Sequence, residues 1–421
     1  MSMITAVRTI RITDRPNLLW VEIEDDEGHT GLGESFRGAD AVAASVGEQV
    51  APWLLGQDPR RIEAISRVLT RPTVGYGGSG AEIRAASAVD IALWDMAGKR
   101  HGAPVHEMLG GAARDRVKTY NTCAGYDYNS GGSMVRVIAA DDESRGPYDD
   151  QVAFNRDAGA LAESLLAQGI HGMKIWPFDV FASAGGHSID LVSLEAGLEP
   201  FRQIRKAVGD RMEVMCELHS KWSVTAAIRI CQALEEHGVF WVEDPLNKMD
   251  NIPGLQDMRA KVRVPICGSE TLGGTATFRD LLAAQALDVV MVDLGWCGGL
   301  TVGRKIAALA EAYGRPLTAH DCTGPVALLA GLHLCIHAPT GIYQEMVRAA
   351  TSTWYQDLLT FIPSPQDGHL LAPTGPGLGA TLHAKVWQRP DLVVQEFGSP
   401  RSQRARAAPV HLQRCARPGS D

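Results

Sequence analysis

"MEVMCELHSKW", residues 212–222, carries the reading of the fold. It begins as a short apolar run of strand length, 212–216, and ends in Glu217, Leu218 and His219. Side chains alternate along a strand, so a carboxylate and an imidazole two residues apart point to the same side. Five runs of similar design follow: "VFWVEDP" with Glu243, "VPICGSE" with Glu270, "DVVMVDLGW" with Asp293, "PLTAH" with His320 and "GIYQEM" with Glu345. Two precede it, "VKTYNTCAG" and "HGMKIW", the latter with Lys174 and Trp176. Helical stretches such as "LEPFRQIRKAVG", "SVTAAIRICQALEEHG", "TATFRDLLAAQA" and "TVGRKIAALAEAYG" fill the gaps. Strands alternating with helices of that length make βα units and a parallel sheet. Eight such units predict a closed (β/α)8-type barrel over residues 118–370. A doubly wound open sheet would more often show a Gly-rich phosphate turn after its first strand, and "NTCAGYDYNSGG" does not fit one.

Upstream, residues 1–117 read as an α+β unit. "AVRTIRIT" and "NLLWVEIEDDEGHTGLGES" alternate like strands, with a turn at 26–28. A helical stretch at 41–55 precedes "QDPRRIEAISRVLTR", where Pro59 suits a first helical turn. "GYGGSG", 75–80, breaks the pattern. "AEIRAASAVDIALWDMAGKRHG" then predicts a strong helix, with Gly102 and Pro104 as its stop. Downstream, "GPGLGATL", 375–382, has strand or turn character, and 399–421 reads as a loose basic tail. Two connections are long, 125–155 and 177–188. Both leave the C-terminal face of the barrel, where loops of that length serve as lids or binding loops.

Composition narrows the class. With 421 residues, 45% hydrophobic and 21% charged, the chain is that of an ordinary globular protein. The net charge of -9 argues against nucleic acid as a partner. No run approaches the ~20 apolar residues that span a membrane, and the N-terminus has no signal-peptide core. The eight cysteines are scattered with no CxxC pair, as expected of reduced core thiols in a cytoplasmic protein.

The strand-end residues are evenly spaced. Glu243 follows Glu217 by 26 residues and Glu270 follows Glu243 by 27; Asp293, His320 and Glu345 come at further steps of 23, 27 and 25. A barrel averages ~31 residues per unit, so each step is about one unit and these residues are neighbours at the rim. Three carboxylates converging in a barrel mouth raise one another's pKa and lose hydration. A divalent cation resolves the conflict, and an all-oxygen set favours Mg2+. His320 beside Asp293 is then a general base whose tautomer the carboxylate fixes.

"ALWDMAGKRHGAPVHEMLGG", "VEDP", "GSET", "VMVDLGWCGG" and "AHDCTGP" together resemble the enolase superfamily, in its mandelate racemase/muconate lactonizing enzyme branch. The resemblance covers nearly the whole chain apart from the tail. It implies a modified TIM barrel with a capping domain made of the N-terminal part, 1–117, and a return at 371–398. It implies that Glu217, Glu243 and Glu270 hold Mg2+, that Asp293 and His320 form the base dyad, and that Glu345 bonds the substrate or its enolate oxygen. Capping loops near 31–37 and 75–80 would close over the substrate. Where many members carry Lys-x-Lys on the second strand, this chain has Lys174-Ile175-Trp176. Lys174 is thus either a substrate-carboxylate ligand or a salt-bridged lysine, and Trp176 either lines the pocket or packs.

The Glu217-x-His219 pair resembles that of the branch's sugar-acid dehydratases. In that chemistry a metal-stabilised enediolate forms as His320 takes the α-proton, and His219 protonates the departing β-hydroxyl. The expected activity is Mg2+-dependent dehydration of an aldonic or aldaric acid to a 2-keto-3-deoxy acid. The alternatives are a racemase, epimerase or cycloisomerase, and a catalytically silent member that binds an acid sugar. Further pocket candidates are Tyr126, Tyr128, His187, Lys221 and Arg348. The resemblance also implies a homo-oligomer, often an octamer.

Overall fold

The computed structural model describes residues 2–71, 79–126, 128, 143–182 and 185–398. Positions 75–78 of the glycine-rich stretch, residues 127 and 129–142 of the 125–155 connection and the tail at 399–421 lie outside the described residues. The N-terminal strands β1 (Ile4–Ile12), β2 (Leu18–Asp25) and β3 (Thr30–Phe36) form an antiparallel meander. The barrel strands are β4 (Arg116–Thr122), β5 (Gly172–Ile175), β6 (Glu213–Glu217), β7 (Val242–Glu243), β8 (Ile266–Gly268), β9 (Val289–Val292), β10 (Leu317–Ala319) and β11 (Gly341–Met346). Each pairs in parallel with the next, and β11 pairs with β4 to close the circle. The eight apolar runs of the sequence are these eight strands. A hairpin-like strand β12 (His369–Leu371) adds antiparallel to β4, and β13 (Leu392–Gly398) adds to β1.

β13 shows no strong alternation in the sequence, and it is the strand that returns the C-terminal segment to the cap. "GPGLGATL" is mostly turn; it contributes isolated bridges, Pro104 with Gly377 and Leu359 with Leu382. Two other expectations are corrected. The helix after Pro59 starts three residues later, at Ile62 (Ile62–Leu69), because Asp58 caps the preceding turn by accepting from the Arg60 N–H. Residues 31–36 are strand β3 and not a loop; only Arg37 and Gly38 turn out of the sheet, both at positive φ.

The helix Ala81–His101 is buried along most of its length, and Gly102 ends it in the left-handed conformation (φ 65°). It presses directly on β3. A Cβ at Gly33 would sit 1.8 Å from the Ala88 carbonyl oxygen, so this sheet–helix contact needs glycine.

Inside the barrel, strand alternation sends Tyr120, Met215, Trp241, Cys267, Met291 and Tyr343 into one inner cluster. Tyr120, Trp241 and Tyr343 meet edge to face, at centroid separations of 5.5–5.9 Å. This aromatic layer is the floor of the mouth. Two residues further along the same strands come Glu217 after Met215, Glu243 after Trp241, Asp293 after Met291 and Glu345 after Tyr343. The period of two therefore stacks a polar layer directly on an apolar one.

Candidate active site

Glu217 and Glu243 are register partners on β6 and β7. Glu270 follows the end of β8. One oxygen of each of Glu217, Glu243 and Glu270 lies within 4.8 Å of the others, and all three residues are buried. Burial, reinforced by the Glu217 charge, pushes the Glu243 carboxyl well above the usual carboxylate range. The set fits a hard divalent cation: all donors are oxygens, and the spread is near the about 4 Å that two metal–oxygen bonds can span. A cation would also let all three stay ionised.

Lys174 from β5 stands among these acids. Its Nζ lies 3.2 Å from Glu217 Oε2 and 3.0 Å from Glu345 Oε1, and it also bonds Glu243 Oε1. The geometry is that of the salt-bridged reading of this lysine, at the barrel mouth. Glu345 Oε2 accepts the Asp321 N–H at 3.1 Å and faces His320 Nε2 at 3.8 Å.

His320 Nδ1 is 2.8 Å from Asp293 Oδ2, and its Nε2 is 2.6 Å from Glu270 Oε2. The second oxygen of Asp293 accepts the Gly295 N–H at 2.7 Å, which holds the carboxylate in place. Trp296 lies 5.7 Å from the imidazole, ring centroid to centroid. Burial alone would lower the His320 pKa, but the charges of Glu270 and Glu345 and the Asp293 bond hold it well above its usual value.

Across the mouth, His219 and Ser220 leave β6 with φ of 47° and 54°. Left-handed backbone costs a residue other than glycine about 1–2 kcal/mol, so it persists only where bonds over-determine it. Here His219 N–H donates to Glu217 Oε1 at 2.7 Å and Ser220 N–H to the Asp244 carbonyl at 2.8 Å. The imidazole Nδ1 meets Asp179 Oδ2 at 2.8 Å, and Nε2 lies 3.0 Å from the Tyr128 hydroxyl. Trp176 packs edge-on against this ring at 5.3 Å and also touches Tyr128 and Phe154.

The remaining candidates divide. Lys221 bonds Asp179 Oδ2 at 2.6 Å, and with His187, Asp179, Ser220 and Asn247 it lines a cavity of about 630 Å3. Tyr128 joins His219, whereas Tyr126 packs on Gly146. Arg348 is not a pocket residue. It is buried in a two-pronged pair with Asp150, at 2.5 and 3.1 Å, and also bonds Ser164 and Gln168. A charge this close to the barrel mouth in sequence is used to tie the helix Asp150–Ala167 to β11.

The sequence reading missed Asp179, which lies in the connection after β5 and has no periodic signal. It also missed Arg84 of the cap. Arg84 donates to the Phe36 and Arg37 carbonyls, and its guanidinium stacks on Trp296, 4.6 Å from the ring centroid. Ser35 Oγ donates to the Gly295 carbonyl and Trp296 Nε1 to that of Phe36, so the end of β3 is bonded to the loop that follows Asp293.

Residues 3–110 match the family described as mandelate racemase/muconate lactonizing enzyme, N-terminal domain, and residues 157–386 match the enolase C-terminal domain-like family. The chain belongs to the enolase superfamily, in its mandelate racemase/muconate lactonizing enzyme branch. An enolase-superfamily structure from Sargasso Sea environmental sequencing is 55% identical, with a TM-score of 0.85 over 95% of this chain and 100% of that one. An enolase of the mandelate racemase subgroup from Agrobacterium tumefaciens is 42% identical, with a TM-score of 0.82 over 94% and 99%. The D-galactonate dehydratase of Pectobacterium atrosepticum is 28% identical over 94% of this chain and 100% of its own length. This superfamily member is an enzyme of the carbon–oxygen lyase class. Among the described residues, no helix is long and apolar enough to cross a membrane.

Proposed function

We propose that this enzyme dehydrates an acid sugar, an aldonic or aldaric acid, to a 2-keto-3-deoxy acid. One observation carries the reading: two imidazoles, each backed by a carboxylate, face one barrel mouth that holds three clustered glutamates. The dehydratase relatives support the reaction type. Glu217, Glu243 and Glu270 would hold Mg2+, whose charge would acidify the α-proton of a bound carboxylic acid.

The protein's own groups divide the proton work. Asp293 occupies His320 Nδ1, and Nε2, which Glu270 would release on turning to a bound cation, would take the α-proton. The electron pair of the broken C–H bond moves toward the substrate carboxylate and then forms the C2–C3 double bond as the β-hydroxyl leaves. His219 supplies a proton to that oxygen, so water departs and not hydroxide. The enol then tautomerises to the keto acid. Lys174 and Glu345, paired at the mouth, would bond oxygens of the substrate carboxylate or its enolate, and Trp176 would bound the His219 side. Trp176 also stands where the branch's racemases carry a second lysine, so the second reading, racemase or epimerase chemistry, would have to use His219 at carbon.

The test is a screen of aldonic and aldaric acids with Mg2+, detecting 2-keto acid, with His219→Asn and His320→Asn beside the wild type. Keto acid from the wild type and from neither variant is the expected result. α-Proton exchange in D2O that needs His320 but yields no keto acid would replace dehydration with racemisation, epimerisation or cycloisomerisation. No exchange and no product from any acid would overturn the reading.

A further inference from the structure

A histidine at a strand end is free to rotate unless something holds its second nitrogen. For His219 that group comes from 40 residues upstream, on a different loop. Asp179 sits in the short helical turn Asp179–Phe181 after β5 and is buried. Its Oδ2 receives both His219 Nδ1 and Lys221 Nζ, two side chains that leave the end of β6. Trp176, at the exit of β5, closes the edge of the same imidazole. The β5 exit thus grips the β6 exit through one carboxylate and one aromatic ring. With Nδ1 engaged, the other ring nitrogen is the one presented beside Tyr128.

We infer that Asp179 is a positioning residue for proton delivery: it fixes His219 with Nδ1–H on the carboxylate and Nε2–H aimed at the departing β-hydroxyl, an inference that rests on His219 being the acid of the proposed dehydration. In the step itself the C3–O bond breaks, the Nε2 proton passes to that oxygen and water leaves. Asp179 remains a carboxylate throughout and neither gains nor loses the proton. Lys221 bonds the same oxygen and does not touch the imidazole's partner nitrogen, so its own removal is expected to be the smaller perturbation.

The experiment uses the full chain with Mg2+ and the acid that gives keto product, comparing Asp179→Asn, Asp179→Glu and Lys221→Met. Asp179→Asn is expected to lower kcat for dehydration by roughly 10- to 100-fold, with KM and His320-dependent α-proton exchange within about threefold of wild type. Asp179→Glu should recover part of the loss. In a His219→Asn background Asp179→Asn should add nothing, since residues that act as a unit are not additive. Dehydration retained in Asp179→Asn, exchange and dehydration falling together, additive losses, or a loss in Lys221→Met equal to that in Asp179→Asn would each overturn the inference. If the wild type dehydrates no acid, the proposed function has failed, and crystal structures of wild type and Asp179→Asn decide the positioning separately. A His219 ring that turns or loses order in the variant supports it, and an unmoved ring sinks it.

Discussion

His320 is held at both nitrogens, by Asp293 at 2.8 Å and by Glu270 at 2.6 Å, and the two bonds do different things. The Asp293 bond orients the ring; the Glu270 side faces the mouth. Asp293→Asn keeps the shape but offers Nδ1 an amide that can present a donor, so the wrong tautomer becomes available. Exchange of the α-proton in D2O should fall by roughly 10- to 100-fold, with the melting temperature little changed; unaltered exchange would remove Asp293 from the base dyad. Glu270→Gln takes one charge out of the proposed ligand set. Calorimetric titration with Mg2+ should show affinity weakened by about tenfold or more, and unchanged affinity would place the cation elsewhere.

Among the elements, β3 and the helix Ala81–His101 form the tightest contact, and the end of β3 is the part of the cap that reaches the Asp293 loop. Gly33→Ala would force backbone apart. The expected cost is about 1–3 kcal/mol, read as a lower urea midpoint; a neutral change would mean that the helix can slide. Arg348→Ala would leave Asp150 buried without its cation. Destabilisation of about 3–5 kcal/mol is expected, with Mg2+ affinity preserved, because the pair bonds Asn121, Ser164 and Gln168 and not the three clustered glutamates.

Across the whole molecule, the helix Pro325–His337 carries His333 against His106 of the segment that leads from cap to barrel. The two Nδ1 atoms are 3.0 Å apart, so one must donate and the other accept. Burial, with the nearby His106, drives His333 down to about 3. The folded pKa is below the unfolded value of about 6.5. The unfolded chain therefore binds the extra proton between these values, and the stabilisation, complete above about pH 6.5, is lost as pH falls toward 3. The amount is on the order of 5 kcal/mol. Urea unfolding from pH 7 to 4 should show a shallower slope in His333→Gln than in wild type; equal slopes would refute the assignment.

What the sequence determined by itself is the repeating part. In a parallel barrel, neighbours in space are neighbours in unit order, so even spacing of Glu217, Glu243, Glu270, Asp293, His320 and Glu345 translates directly into a shared rim. The period of two along each strand put Met215, Trp241, Met291 and Tyr343 in the floor and the acids above them. Gly102 likewise marked a helix end that the backbone confirms. Tertiary structure decided what has no period. β13 pairs with β1 from the far end of the chain, and Arg8 meets Glu396 across 388 residues. Arg348 turned to Asp150, Lys174 settled among three glutamates, and Asp179 came over from the β5 exit to hold His219. Each of these depends on the path of a loop or on which buried charge reaches a partner first. Local propensity and spacing encode neither, because the free energy that selects them is made only when the units are packed together.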